Sequence, residues 1–349
     1  MGNSALQRQE SLVSQAMKKK HALPEWATSS EYANLDSLQK GLRKAGLESS
    51  NLIVAVDFTK SNMTQGSTTN GGTSLHAISE TRLNPYETVL DIMGKTMSPF
   101  DDDNLIPAFY FGDSKTRHNS TASFLNEDQT CHGMDQVLRE YRHLAQRLDF
   151  SGPTSFGPVI DAATEIVENS GNGFHILVIV ADGQVSTHLN CLKETRASLI
   201  RASRFPLAVV IVGVGDGPFE EMDVLDDDLP DRLFDNCQFI EFSPFQAALE
   251  RGEAKQVVEA AFAVCTLQEI PMQYRMAADL GLLEAPSQRS QTDGGRSAAR
   301  HAAIADNIHF DTMSSHFKGN RTKRPLHFAD DTNGQPPTGE GTPSKKPRA

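Results

Sequence analysis

Apolar residues follow two rhythms along this chain. In three places they are all but continuous: Leu52 to Val56, Phe174 to Val180, and Pro206 to Val214. Each run is rich in β-branched side chains, which predicts strands buried on both faces, as in a parallel sheet. Elsewhere the apolar residues return at helical spacing. Tyr32, Leu35, Leu38, Leu42 and Ala45 predict a helix over Glu31 to Leu47, with Gly46 at its end. Asn84-Pro85 opens a second helix as N-cap and first-turn proline, with Tyr86, Val89, Leu90, Met93 and Met97 inward. Further helices are predicted over Met134 to Leu148, Val159 to Val167, Leu192 to Ser203 and Phe245 to Leu267. Leu105 to Phe111 and Ala122 to Leu125 read as an antiparallel hairpin at a sheet edge, and Phe239 to Phe242 as a shorter strand. Residues 62–83, rich in Gly, Thr and Ser, read as a loop. Buried strands alternating with helices predict an α/β fold: a doubly wound, mostly parallel sheet flanked by helices, of Rossmann-like build. In such sheets, sites form at the carboxyl ends of the strands.

Polar residues stand where two of the runs stop. The first run ends in Asp57, and Thr59 and Ser61 follow at every second residue. The Phe174 to Val180 run ends in Ala181-Asp182-Gly183, and Gly152-Pro153-Thr154 forms a tight loop before a helix. Alone, an acid and two hydroxyls past a strand usually make a turn or a helix cap. Together, Asp57, Thr59, Ser61, Thr154 and Asp182 offer five oxygen donors on three loops. Such a set suffices for a six-coordinate Mg²⁺, or for Mn²⁺ or Ca²⁺, with water completing the shell. Ser61 has no evident base in the sequence. His132, His175 and His188 read as structural or exposed, and Gly213-x-Gly215-x-Gly217 lacks the spacing of a dinucleotide fingerprint.

Composition narrows the classes. The chain has 349 residues and a net charge of −12, which argues against a general nucleic-acid binder. Cys131, Cys191, Cys237 and Cys265 are far apart, so neither a zinc cluster nor a disulfide framework is expected. No apolar run approaches the roughly 18 residues of a membrane span. Three segments are expected: a disordered 1–30, a folded 31–283 and a disordered 284–349. Met1-Gly2-Asn3-Ser4 resembles an N-myristoylation start, with Leu6 where Ser or Thr is usual. Lys18-Lys19-Lys20 would add an electrostatic membrane signal; the other reading of this segment is a solvated tail. Lys345-Lys346-Pro347-Arg348 is a weak nuclear-localisation signal or a solubilising end. An intracellular setting is expected, cytoplasmic or nuclear, with peripheral contact to the plasma membrane if Gly2 is lipidated.

The Asp-x-Thr-x-Ser, separate Thr and separate Asp-Gly resemble the metal-ion-dependent adhesion site of von Willebrand factor A domains, with Thr59 in place of the first Ser. Seven ordered blocks go further: GLESSNLIVAVDFTKSN, NPYETVL, DDDNLIPAFYFGD, SGPTSFGPVIDAA, VIVADGQV, VVIVGVGDGPFEEM and EIPMQYR. They resemble the A domain of copines and of the RGLG ubiquitin ligases of plants, over roughly residues 31–280. The resemblance implies a metal-dependent adaptor that engages an Asp or Glu of a partner protein. Copines carry two C2 domains before this domain, and about 30 residues precede it here. RGLG ligases end in a RING finger, and no cysteine follows Cys265 here. Ligase activity is therefore not expected of this chain alone. The alternative is a role in ubiquitination with a partner that supplies the RING.

Overall fold

The computed structural model describes residues 34–283 apart from 48, 102, 126–128 and 228. The expectations for 1–30 and 284–349, including Gly2, Lys18 to Lys20 and Lys345 to Arg348, lie outside these residues. The elements are α1 (Leu35–Ala45), β1 (Asn51–Asp57), α2 (Pro85–Met97), β2 (Leu105–Ile106), β3 (Ala108–Phe111), β4 (Ala122–Ser123), β5 (Cys131–His132), α3 (Gly133–Ala145) and α4 (Gly157–Asn169). There follow β6 (His175–Ala181), α5 (Cys191–Ala202), β7 (Leu207–Gly213), α6 (Glu220–Asp227), β8 (Cys237–Glu241), α7 (Ser243–Glu250), α8 (Lys255–Leu267) and α9 (Ile270–Asp279). No helix among the described residues is long and apolar enough to cross a membrane.

The main sheet has the order β4-β3-β1-β6-β7-β8. Its central pairs are parallel, and only β4 runs antiparallel to its neighbour, at the edge. Alternate residues of each central strand enter opposite cores. Leu52, Val54, Val56 and Phe58 join one core, which α1, α2, α3, α7, α8 and α9 cover. Ile53, Ala55 and the odd-numbered apolar residues of β6 and β7 join the other, under α4, α5 and α6. Both faces are therefore dry, and this is why the strands read as unbroken apolar runs. From β1 the chain travels by α2 to β3 on one side, and from β6 by α5 to β7 on the other. The winding reverses between β1 and β6, so a crevice opens at their carboxyl ends.

Two expected elements differ. The strand expected over Leu105 to Phe111 breaks at Pro107, which has no N–H to donate. β2 turns away to pair with β5 in a separate two-stranded sheet, while β3 stays in the main sheet. The single helix expected over Phe245 to Leu267 is two, because Gly252 takes the left-handed conformation at φ +78°. Its N–H and that of Glu253 close α7 onto the carbonyls of Leu249 and Ala248. α6 and α9 occupy stretches with no expected element.

Candidate metal centre

β1 ends at Asp57 and β6 is followed at once by Asp182, on adjacent parallel strands. Asp57 is 0% exposed and Asp182 1%. The Asp57 carboxylate accepts the backbone N–H of Thr59 on Oδ1 at 2.7 Å. Its Oδ2 and both oxygens of Asp182 are buried with no hydrogen-bond partner. The Thr59 and Ser61 hydroxyls lie 3.1 Å apart, and the Thr154 hydroxyl donates to that of Thr59 at 3.4 Å. The fold thus brings all five expected residues to one strand-end crevice. Among the described residues no group of three or more His, Cys, Asp or Glu side chains gathers as a metal cluster, here or elsewhere. The donor set here is two carboxylates and three hydroxyls.

Backbone bonds lock the three loops to one another. Lys60 N–H donates to the Ser151 carbonyl at 2.7 Å, and Ser151 N–H to that of Gly112 at 2.9 Å. Ser186 N–H, in the loop after Asp182, donates to the Thr154 carbonyl at 3.0 Å. Gly112, at φ +85°, packs beneath the site: a Cβ there would stand 2.4 Å from Thr59 Cγ2 and 3.1 Å from Asp57 Oδ1. Gly112→Ala combines left-handed strain with that overlap and is expected to cost about 2 kcal/mol or more in urea denaturation. A variant as stable as the parent would show that the Thr59 loop yields freely.

Burial raises the Asp57 carboxyl well above its ordinary range, and the charge of Asp182 raises it further. Burial likewise pushes Asp182 up to about 6, against the pull of the Ser61 hydroxyl. Two buried acids that resist ionisation, with three oxygens that make no hydrogen bond, are short of positive charge.

Sequence reasoning missed the layer behind these donors. Asn62 is buried and donates to the Thr59 carbonyl at 3.1 Å, while Tyr86 donates to the Asn62 side-chain oxygen at 2.6 Å. His76, in the Gly/Thr/Ser loop, touches the Asp57 carbonyl. No spacing in the sequence marks any of them. Of the histidines considered, His175 is buried and bonded to Asn51 and to the Gly173 carbonyl, and His132 and His188 are exposed.

A doubly wound sheet whose β1 and β6 ends gather an Asp-x-Thr-x-Ser loop, a Thr and an Asp defines a von Willebrand factor A-type domain. The chain belongs to the copine family: the copine family model matches residues 74–286. It is 47% identical over 276 residues to "E3 ubiquitin-protein ligase RGLG4" of Arabidopsis thaliana, covering 77% of this chain and 67% of that one. It is 43% identical over 263 residues to RGLG2 of the same plant, and there spans 55% of the relative's length. With "Copine family protein 2" of Caenorhabditis elegans it shares 40% identity over 282 residues, which is 80% of this chain and 3% of that protein. Among solved structures, the manganese-loaded TRAP protein of Plasmodium vivax is similar at 13% identity and a TM-score of 0.40, over 58% of this chain and 72% of that one.

Proposed function

We propose that this chain is a metal-dependent protein-binding module in which Asp57, Thr59, Ser61, Thr154 and Asp182 hold one divalent cation, Mg²⁺ first, with Mn²⁺ or Ca²⁺ as substitutes. One observation carries the reading: three buried carboxylate oxygens of Asp57 and Asp182 without hydrogen-bond partners, beside three hydroxyls. Buried polar atoms left without partners are rare in native proteins, and an ion is one of their few explanations. The donors are all hard oxygens, which suits these cations. Five side-chain donors leave at least one of six coordination positions to another oxygen. Bound there, the cation supplies an electrophilic position that a partner's Asp or Glu carboxylate can take in place of water.

The chain's own residues orient that position. Thr59 N–H fixes one Asp57 oxygen and leaves the other turned to the crevice. The Ser61 hydroxyl lies against the Thr59 hydroxyl and pulls on the Asp182 carboxyl, both donors of the same proposed cation site, which supports a ligand role for it. The relatives named as ubiquitin-protein ligases support a second placement for the same module: presenting a protein for ubiquitin transfer with a RING-bearing partner. Burial raises all four thiols, Cys131 to about 12, so none is suited to carry ubiquitin as a thioester.

Calorimetric titration of the full chain with Mg²⁺, Mn²⁺ and Ca²⁺ is expected to show one site. Partners captured on the immobilised chain are expected to release with EDTA and return with Mg²⁺. Capture that is indifferent to EDTA would overturn the metal-dependent reading. With E1 and E2 enzymes, this chain alone is expected to form no ubiquitin chains.

A further inference from the structure

The metal-site loop is pinned from behind by a histidine. His76 is buried and lies flat between two rings, 4.4 Å from Phe58 at 9° and 4.1 Å from Tyr86 at 22° between planes. Its Nε2 stands 2.8 Å from the Asp57 carbonyl oxygen, and its Nδ1 2.8 Å from the Tyr141 hydroxyl. A carbonyl can only accept, so Nε2 carries the proton and Nδ1 accepts from Tyr141. That hydroxyl, its proton committed, accepts from Asn84 Nδ2 at 3.0 Å. Asn84 is fixed in turn as the N-cap of α2: its Oδ1 accepts from Glu87 N–H at 2.9 Å, and its own N–H donates to Glu87 Oε2 at 2.8 Å. The Asp57 carbonyl thus sets the tautomer 2.8 Å from the end of β1, and the capping box of α2 holds the Tyr141 hydroxyl, which also lies 3.3 Å from Asn84 Oδ1, against Nδ1.

We propose that His76 is a positioning residue of the metal site: its Nε2–H fixes the Asp57 carbonyl, and so the start of the loop from Asp57 to Ser61. The inference rests on the reading above that this loop holds a cation. It adds that cation affinity depends on a donor at position 76, beyond the bulk that fills the space. A ring that only packed would be replaced by another ring without loss of affinity.

The test compares His76→Phe, which keeps an aromatic stack and loses the donor, with His76→Gln, which keeps a side-chain N–H and loses the ring. Mg²⁺ titration of the full chain is expected to show His76→Phe weakened by about 10-fold or more, the usual range for groups that orient metal ligands. His76→Gln is expected to recover most of that loss, although its melting temperature falls as far as or further than that of His76→Phe. Equal affinity in His76→Phe and wild type would overturn the inference while leaving the metal site standing. A wild-type chain that binds no cation would overturn both. A readout without metal or variants covers the case in which His76→Phe fails to fold. Long-range ¹H–¹⁵N spectra of the wild type are expected to show Nε2 protonated and Nδ1 bare, and the opposite tautomer would end the proposal.

Discussion

Asp57→Asn is expected to raise the stability of the metal-free protein at pH 7 and to abolish the gain that Mg²⁺ gives the wild type. The sign follows from the proton count. In the unfolded chain an Asp loses its proton near 3.8, whereas folded Asp182 keeps it to about 6 and Asp57 is also raised well above 3.8. Between those values the native state binds more protons than the unfolded state, so stability falls as pH rises through roughly 4 to 6. For Asp182 alone the penalty is on the order of 3 kcal/mol, at about 1.36 kcal/mol per pKa unit. Asp216 does not blur the window: hydrogen bonds from Ser67, Thr68 and Thr69 hold it down to about 2, so its contribution is complete before the window opens. Asparagine at 57 keeps the acceptor for Thr59 N–H and removes one of the two buried charges. The proposed cation site needs both carboxylates ionised, so Mg²⁺ stabilisation is expected to fade as pH falls through the raised range of the pair. A cation at 100 times its dissociation constant adds about 2.7 kcal/mol by mass action. Urea denaturation of both proteins at pH 5 and pH 7, with and without Mg²⁺, reads the charge penalty and the Mg²⁺ gain separately. Metal-free wild type that is more stable at pH 7 than at pH 5 would contradict the charge argument.

What the sequence revealed and what it hid divide along physical lines. β1, β6 and β7 are legible because each is buried on both faces, so side-chain alternation leaves the runs apolar except for His175 at the start of β6. Asp57 and Asp182 are legible because a carboxylate ending such a run stands out. α9 is not, because Met272 and Met276 are exposed while Gln273 is buried, so the apolar and polar stripes that mark a surface helix are mixed. The split of α7 from α8 turns on the backbone at Gly252, and a glycine within a helical pattern does not declare its φ. His76 is hidden for a third reason. Its partners Tyr141 and Asp57 lie 65 and 19 residues away, and nothing near His76 in sequence distinguishes it from other loop residues.

Phe58→Ala is expected to be the most destabilising single substitution around the site, at about 3–5 kcal/mol. Phe58 directly follows Asp57 and is wholly buried. Its ring stacks on His76 at 4.4 Å and meets Phe150 at 5.6 Å, with Tyr110 and Tyr141 each at 6.1 Å. Deleting it removes a large apolar side chain from water-free packing and leaves a cavity that four rings on separate elements must collapse to fill. Those rings are not free to follow, because His76 and Tyr141 are hydrogen-bonded in place and Tyr110 stands in β3. The cost should therefore fall in the upper half of the range for an aromatic-to-alanine change. Phe58→Leu keeps most of the volume and should cost about 1–2 kcal/mol. Equilibrium unfolding in urea measures both. The Ala variant is also expected to bind Mg²⁺ more weakly than the Leu variant at a temperature where both are folded, since Phe58 joins Asp57 to Thr59 and its packing sets where both donors stand. A Phe58→Ala loss below 2 kcal/mol would mean that the aromatic layer repacks, and that the donors above it owe their placement to the backbone bonds between the loops instead.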